Sequence, residues 1–123
     1  MKFLILIQSN PRSLAVWDKM SDDERTAFGR DHLRLNEEMA EAGVHVAGEG
    51  LADPSLARWV SVRDGETIVS DGPFAEVKEH LAGFYLIDVE SLDEAIGWAA
   101  KVPDAAYTEV EVRPVLDMSE WEF

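Results

Sequence analysis

The chain contains no cysteine. Disulfides, thiolate nucleophiles and cysteine-bound zinc are thereby excluded. Basic residues are scarce: 11 Lys and Arg stand against 25 Asp and Glu, a formal net charge of −14. A nucleic-acid binder needs a basic footprint to displace counterions from phosphate, and an anionic membrane surface attracts only such a footprint. No segment hides one, because residues 1–43, 44–103 and 104–123 carry net charges of −2, −7 and −5. Neither nucleic acid nor membrane is therefore an expected partner. Long apolar runs are missing as well. The longest, residues 3–7, falls far short of the roughly 20 residues that a membrane span needs. It follows only Met1 and Lys2 and leads to no small-residue cleavage site, so a signal peptide is not expected and the cytoplasm is the default location.

What is present suits one folded domain over residues 1–123, since 46% of the chain is apolar and the length is near the commonest domain size. Residues 3–7 form an unbroken apolar run, the pattern of a strand buried on both faces. Asn10 can cap a short helix with Pro11 at its first position, carrying Leu14, Val16 and Trp17. Ser21 and Glu24 make a capping box that opens a long helix ending at Gly43. Strands are expected at 44–51, 58–63 and 67–70, the last two joined by Asp64-Gly65, the strongest hairpin signal in the chain. A further strand apolar on both faces covers 83–89. Ser91 and Glu94 form a second capping box for a helix with Leu92, Ala95, Ile96 and Ala99 on its inner face, stopped by Pro103. Residues 108–113 alternate as a final strand. With the hairpin set aside, the order is the split βαβ of an α+β, ferredoxin-like fold, with both helices on one sheet face.

That arrangement leaves the other face of the sheet apolar. The two central strands carry Phe3, Ile5 and Ile7 against Leu4 and Leu6, and Phe84 and Leu86 against Tyr85 and Ile87. A bare apolar face of that size is unusual for a monomer, so a second copy is expected to cover it as a homodimer. Trp121 and Phe123 in the tail are expected to clamp the partner, although a tail folding back on its own chain would read alike.

Chemistry has two candidate places. The long helix has a stripe at Phe28, His32, Leu35, Met39 and Ala42, so His32 shares the apolar side that faces the sheet. Histidine is the natural proton-transfer residue near neutral pH, although a core histidine bonded to its surroundings gives the same pattern. The second place is the stretch from Asp71 to His80, dense in turn residues and charges. There Asp71 is pinned by a Gly and a Pro, as acid–base work requires of a carboxylate, although an exposed turn would read alike. His45 is expected to be exposed. His32, His45 and His80 lack a metal-ligand spacing, and no metal site is expected. Gly48-Glu49-Gly50 lacks the other glycines of a dinucleotide loop, and no nucleophile elbow is present.

Asp71-Gly72-Pro73-Phe74, with Glu76, Lys78-Glu79 and Gly83-Phe84-Tyr85-Leu86-Ile87, resembles the DGPF-motif branch of the YCII-related family. Gly48-Glu49-Gly50-Leu51, the stretch 95–100 and Glu111-Val112-Arg113-Pro114-Val115 fit the same resemblance, which spans nearly the whole chain. The resemblance implies a dimeric α+β barrel of ferredoxin-like protomers, a class whose relatives include isomerases, lyases and monooxygenases of ring compounds. It also implies an acid–base pair made by a helix His and an Asp. His32 sits on the matching helix. The family's Asp usually precedes a Pro after the second helix, whereas here Pro103 precedes Asp104, so the role is not carried to Asp104 and Asp71 is taken for it instead.

Two functions follow. In the first, a cofactor-free lyase or isomerase binds a cyclic small molecule. His32 moves a proton, Asp71 orients it or carries a second one, Lys78 or Tyr85 holds an oxyanion, and Phe74 and Glu79 complete the binding set. In the second, the chain is a non-catalytic ligand-binding or regulatory module associated with a sigma factor, as the resemblance suggests for many members. The enzyme requires His32 at an open pocket within reach of a carboxylate. The module requires it packed with both nitrogens satisfied.

Overall fold

The computed structural model describes residues 1–74 and 76–121. Strand β1 spans Lys2–Ser9, helix α1 Pro11–Lys19, helix α2 Asp22–Glu41 and strand β2 His45–Gly50. Strands β3 (Arg58–Arg63) and β4 (Glu66–Asp71) follow, then β5 (His80–Asp88), α3 (Leu92–Ala99) and β6 (Glu111–Pro114). The main sheet has the order β2-β5-β1-β6 and all its pairs are antiparallel, while β3 and β4 form a separate two-stranded sheet. Without that hairpin the order is that of a ferredoxin-like α+β fold.

The caps form as their residues dictate. The Asn10 side chain accepts from the Ser13 N–H while Ser13 Oγ accepts from the Asn10 N–H, both at 2.9 Å. Ser21 and Glu24 make the same reciprocal pair at 3.1 Å. In α3 only half of the expected box is present: Ser91 Oγ accepts from the Glu94 N–H, but the Glu94 carboxylate accepts from the Glu90 N–H. Asp64 and Gly65 adopt φ of 51° and 78°, the left-handed pair that a two-residue hairpin turn needs.

The core lies between the sheet and the helices α2 and α3. Phe3, Ile5 and Ile7 of β1 and Tyr85 and Ile87 of β5 meet Leu35 and Met39 of α2, Ala95 and Ala99 of α3, and Val89 and Val102. Phe3, Ile5, Met39, Ile87 and Val102 are fully buried, each worth roughly 1.5–3 kcal/mol of transfer free energy. Leu92 and Ile96 do not join this face as expected; both are about half exposed. The alanines take the inner positions because they let α3 approach β1 and β6 closely. The last strand also starts later than its alternation suggests. Thr108 still donates its N–H to the Asp104 carbonyl at 2.9 Å, so the chain is turning there.

On the opposite sheet face, cross-strand pairs Leu4–Leu86 and Leu6–Phe84 stand side by side and are only half-buried. All twelve residues of β3 and β4 are exposed. Trp121 is exposed, and Phe123 lies outside the described residues.

Candidate functional site

The Ile5–Tyr85 pair of the β1–β5 ladder and the middle of α2 meet at His32. From α2 the imidazole points to the sheet, as the apolar stripe predicts. Leu35 and Met39 below it are buried and Phe28 above it is half-buried, while Ala42 is exposed at the helix end. Nδ1 of His32 lies 2.7 Å from the Tyr85 hydroxyl, and Nε2 lies 2.7 Å from Asp104 Oδ1. The His32 and Tyr85 rings are nearly parallel, 10° apart, with centroids at 6.0 Å. An ionised carboxylate only accepts hydrogen bonds. Nε2 therefore donates to Asp104, and in the neutral imidazole Nδ1 accepts from the Tyr85 hydroxyl. Burial, with Asp104 as the second cause, pushes the Tyr85 hydroxyl up to about 12. Tyr85 is thus a hydrogen-bond donor at neutral pH rather than a tyrosinate.

Local backbone features hold this chain of groups in place. Tyr85 is paired with Gly48 across the β2–β5 ladder. A Cβ at Gly48 would stand 3.1 Å from Tyr85 Cδ1 and 3.2 Å from the Phe84 carbonyl oxygen, so glycine gives the ring its room. The ladder shifts register on both sides of the site, between Ile7 and Gln8 and between His45 and Ala47. Such bulges re-aim side chains and are frequent beside functional sites. Asp104 sits second in a 3-10 turn, Pro103–Ala106, that opens on Pro103. This turn packs back against α2, which carries the carboxylate to His32. The second bulge also turns His45 to the same side as Ile87. His45 is half-buried instead of exposed, and its Nε2 is buried with no hydrogen-bond partner among the described residues.

His32, Tyr85 and Asp104 line an open chamber of about 420 Å³ whose floor is the backbone of Gly48, Gly50 and Gly83. The side chains of His32 and Asp104 are each 22% exposed. His32 therefore has partners on both nitrogens and also faces a pocket with a carboxylate in reach.

The other residues named from the sequence lie elsewhere. Asp71 ends β4, is paired across the ladder with Arg58 and makes a 3.1 Å ion pair with it. It does not meet His32, because the hairpin departs from the main sheet; the carboxylate at His32 is Asp104. Phe74 packs on Trp59 with centroids at 5.2 Å. Glu79 accepts from Asn10 Nδ2 at 3.4 Å, and Lys78 is exposed. None of these four lines the chamber. Gly72 precedes a cis Pro73, and a Cβ there would collide with the Trp59 indole, which explains the glycine of the Asp71–Phe74 motif in packing terms. No three His, Asp or Glu side chains among the described residues are grouped as metal ligands. No described helix is long and apolar enough to cross a membrane.

A ferredoxin-like sheet with a helix histidine held between a strand tyrosine and a carboxylate defines a small α+β protein with its polar centre between helix and sheet. The model of the YCII-related domain matches residues 1–119. An uncharacterised protein of Rhizobium meliloti (strain 1021) is 38% identical over 117 residues, covering 94% of this chain and 92% of the relative. The chain belongs to the YCII-related family.

Proposed function

We propose that the protein is a cofactor-independent enzyme of the lyase or isomerase type that moves a proton on a cyclic small molecule. The observation that carries this reading is the order Tyr85–His32–Asp104, linked by two 2.7 Å hydrogen bonds at an open chamber. A substrate carbonyl oxygen that captures the Tyr85 hydroxyl frees the Nδ1 lone pair. Nδ1 then takes a proton from the adjacent substrate carbon, and the C–H electron pair moves to the carbonyl oxygen, giving an enolate that Tyr85 holds. Asp104 stabilises the imidazolium so formed. Return of the proton to another atom completes an isomerisation; departure of a leaving group completes an elimination. Asp104 takes the carboxylate role here in place of Asp71, and Lys78, Glu79 and Phe74 belong to the hairpin root. Two copies form the working unit, with Leu4, Leu6, Phe84 and Leu86 covered sheet against sheet, in the cytoplasm.

The test is proton exchange on a neutral, enolisable ring ketone, β-tetralone, in deuterium oxide followed by NMR. The wild type accelerates exchange, and His32→Ala loses about 10²–10⁴ of that acceleration, the usual worth of a general base. Equal rates in both proteins remove His32 from the mechanism.

A second reading draws on the hairpin. Trp59, Val60, Val62 and Val69 are exposed there, and the chain carries a net charge of −14. A regulatory module bound to a basic partner, such as a sigma factor, uses both features. It predicts association that weakens as salt rises; recovery of no basic partner at low salt counts against it.

A further inference from the structure

Helix α1 is an addition to the split βαβ pattern, and it buries none of its residues. Its apolar side nevertheless does not simply face solvent. Leu14, Val16 and Trp17 line a second chamber of about 430 Å³ together with Phe28 and Tyr107. The two chambers share Phe28, Ala82 and Asp104, so the second opens directly beside the proton-transfer groups. The aromatic rings are mutually oriented: Phe28 is edge-on to Trp17 at 5.8 Å and to His32 at 5.0 Å, and 6.2 Å from Tyr107.

Helix α1 is pinned at both ends. Asn10 caps α1 and donates to Glu79. Arg25 donates to the Trp17 carbonyl from Nε at 3.2 Å and from Nη2 at 2.9 Å, and its guanidinium lies 4.9 Å from the Trp17 ring centroid. That fixes a half-exposed tryptophan that has no core to hold it.

The charge of the two chambers is one-sided. Neither is lined by any Lys or Arg among the described residues, while Asp104 faces both and Glu49 faces the first. Arg25 is held at Trp17, and Arg12 pairs with Glu109 at 3.8 Å. A carboxylate or phosphate ligand would find no Lys or Arg in the lining and would be repelled by Asp104. In the α1 chamber the side chains of Gln8, Ser9, Ser13 and Thr108 carry no charge. An apolar pocket with a few neutral polar groups suits a flat, uncharged body.

We propose that the α1 chamber is the specificity site, taking an uncharged planar ring system against the aromatic side chains of Trp17, Phe28 and Tyr107 that line it and directing its single polar edge toward His32 and Asp104. This deepens the proton-transfer reading and rests on it for the direction of that edge.

The experiment compares two probes of one shape, β-naphthol and β-naphthoate, by calorimetry and NMR on the full chain at neutral pH. Neutral naphthol is expected to bind at least about tenfold more tightly than the carboxylate. Trp17→Ala should weaken naphthol by about tenfold, and Leu14→Asp, at a half-exposed position, should weaken it as well. Gln8→Lys should narrow the gap by recruiting the carboxylate. Wild-type protein that prefers naphthol over naphthoate yet does not accelerate β-tetralone exchange leaves this site standing and sinks only the catalytic reading. The proposal is overturned if naphthoate binds as well as naphthol, if neither probe binds, or if both α1 variants bind as wild type.

Discussion

Ionisation of Tyr85 reports the geometry of the site without any substrate. The hydroxyl is displaced from 10 to about 12, first by burial and second by the negative charge of Asp104. At ~1.36 kcal/mol per tenfold change, that is a preference of roughly 2–3 kcal/mol for the neutral phenol in the folded state. The sign follows from linkage. Between pH 10 and about 12 the folded chain keeps a proton that the unfolded chain has lost, so stability is fully present below pH 10 and falls by up to ~2–3 kcal/mol as pH rises through the folded value. The chain has two tyrosines, Tyr85 and Tyr107, so an ultraviolet titration of Tyr107→Phe isolates the residue. In that background Asp104→Asn removes the charge but keeps the shape, and the Tyr85 transition should move down while remaining above 10, because burial is the larger cause. A Tyr85 that titrates near 10, or one that Asp104→Asn leaves unmoved, refutes the placement of these groups.

Three further outcomes follow from the same contacts. Gly48→Ala places a Cβ 3.1 Å from Tyr85 Cδ1 and should cost about 1–3 kcal/mol in a denaturant titration through overpacking, with Tyr85 ionising more easily as its ring is pushed out. Leu6→Asp, on the half-buried sheet face, should convert a dimer to a monomer by light scattering at micromolar concentration; a wild-type monomer would contradict the sheet-to-sheet dimer. Ser21→Ala removes the 3.1 Å bond to the Glu24 N–H and should lower stability by about 1 kcal/mol without affecting proton exchange.

The frame was legible because its signals are local. Asn10-Pro11, the Ser21 and Glu24 box and Asp64-Gly65 each determine a few dihedrals by their own chemistry, and the helix stripe put His32 against the sheet. Tyr85 could be named because it alternates with apolar neighbours on a central strand. Asp104 is set aside on the sequence because it follows Pro103 instead of preceding a Pro; its position depends on a 3-10 turn that folds back onto α2, and no periodicity in Lys101-Val102-Pro103-Asp104 encodes that return. Asp71 drew attention through a turn motif whose glycine answers to the Trp59 indole. His45 was misplaced by one bulge, since a single extra residue in a strand reverses which side a ring faces. Leu92 and Ile96 had the right spacing for an inner face, but the size of the gap beneath α3 favoured the alanines.

The central claim is that Tyr85, His32 and Asp104 act as one unit. Groups that serve a single step are strongly non-additive when removed together. The most direct test is a cycle of His32→Ala, Asp104→Asn and the double variant, read by β-tetralone proton exchange. A common unit predicts that the double variant is no slower than His32→Ala alone. Losses that multiply, each variant costing the same factor whether or not the other is present, would contradict it.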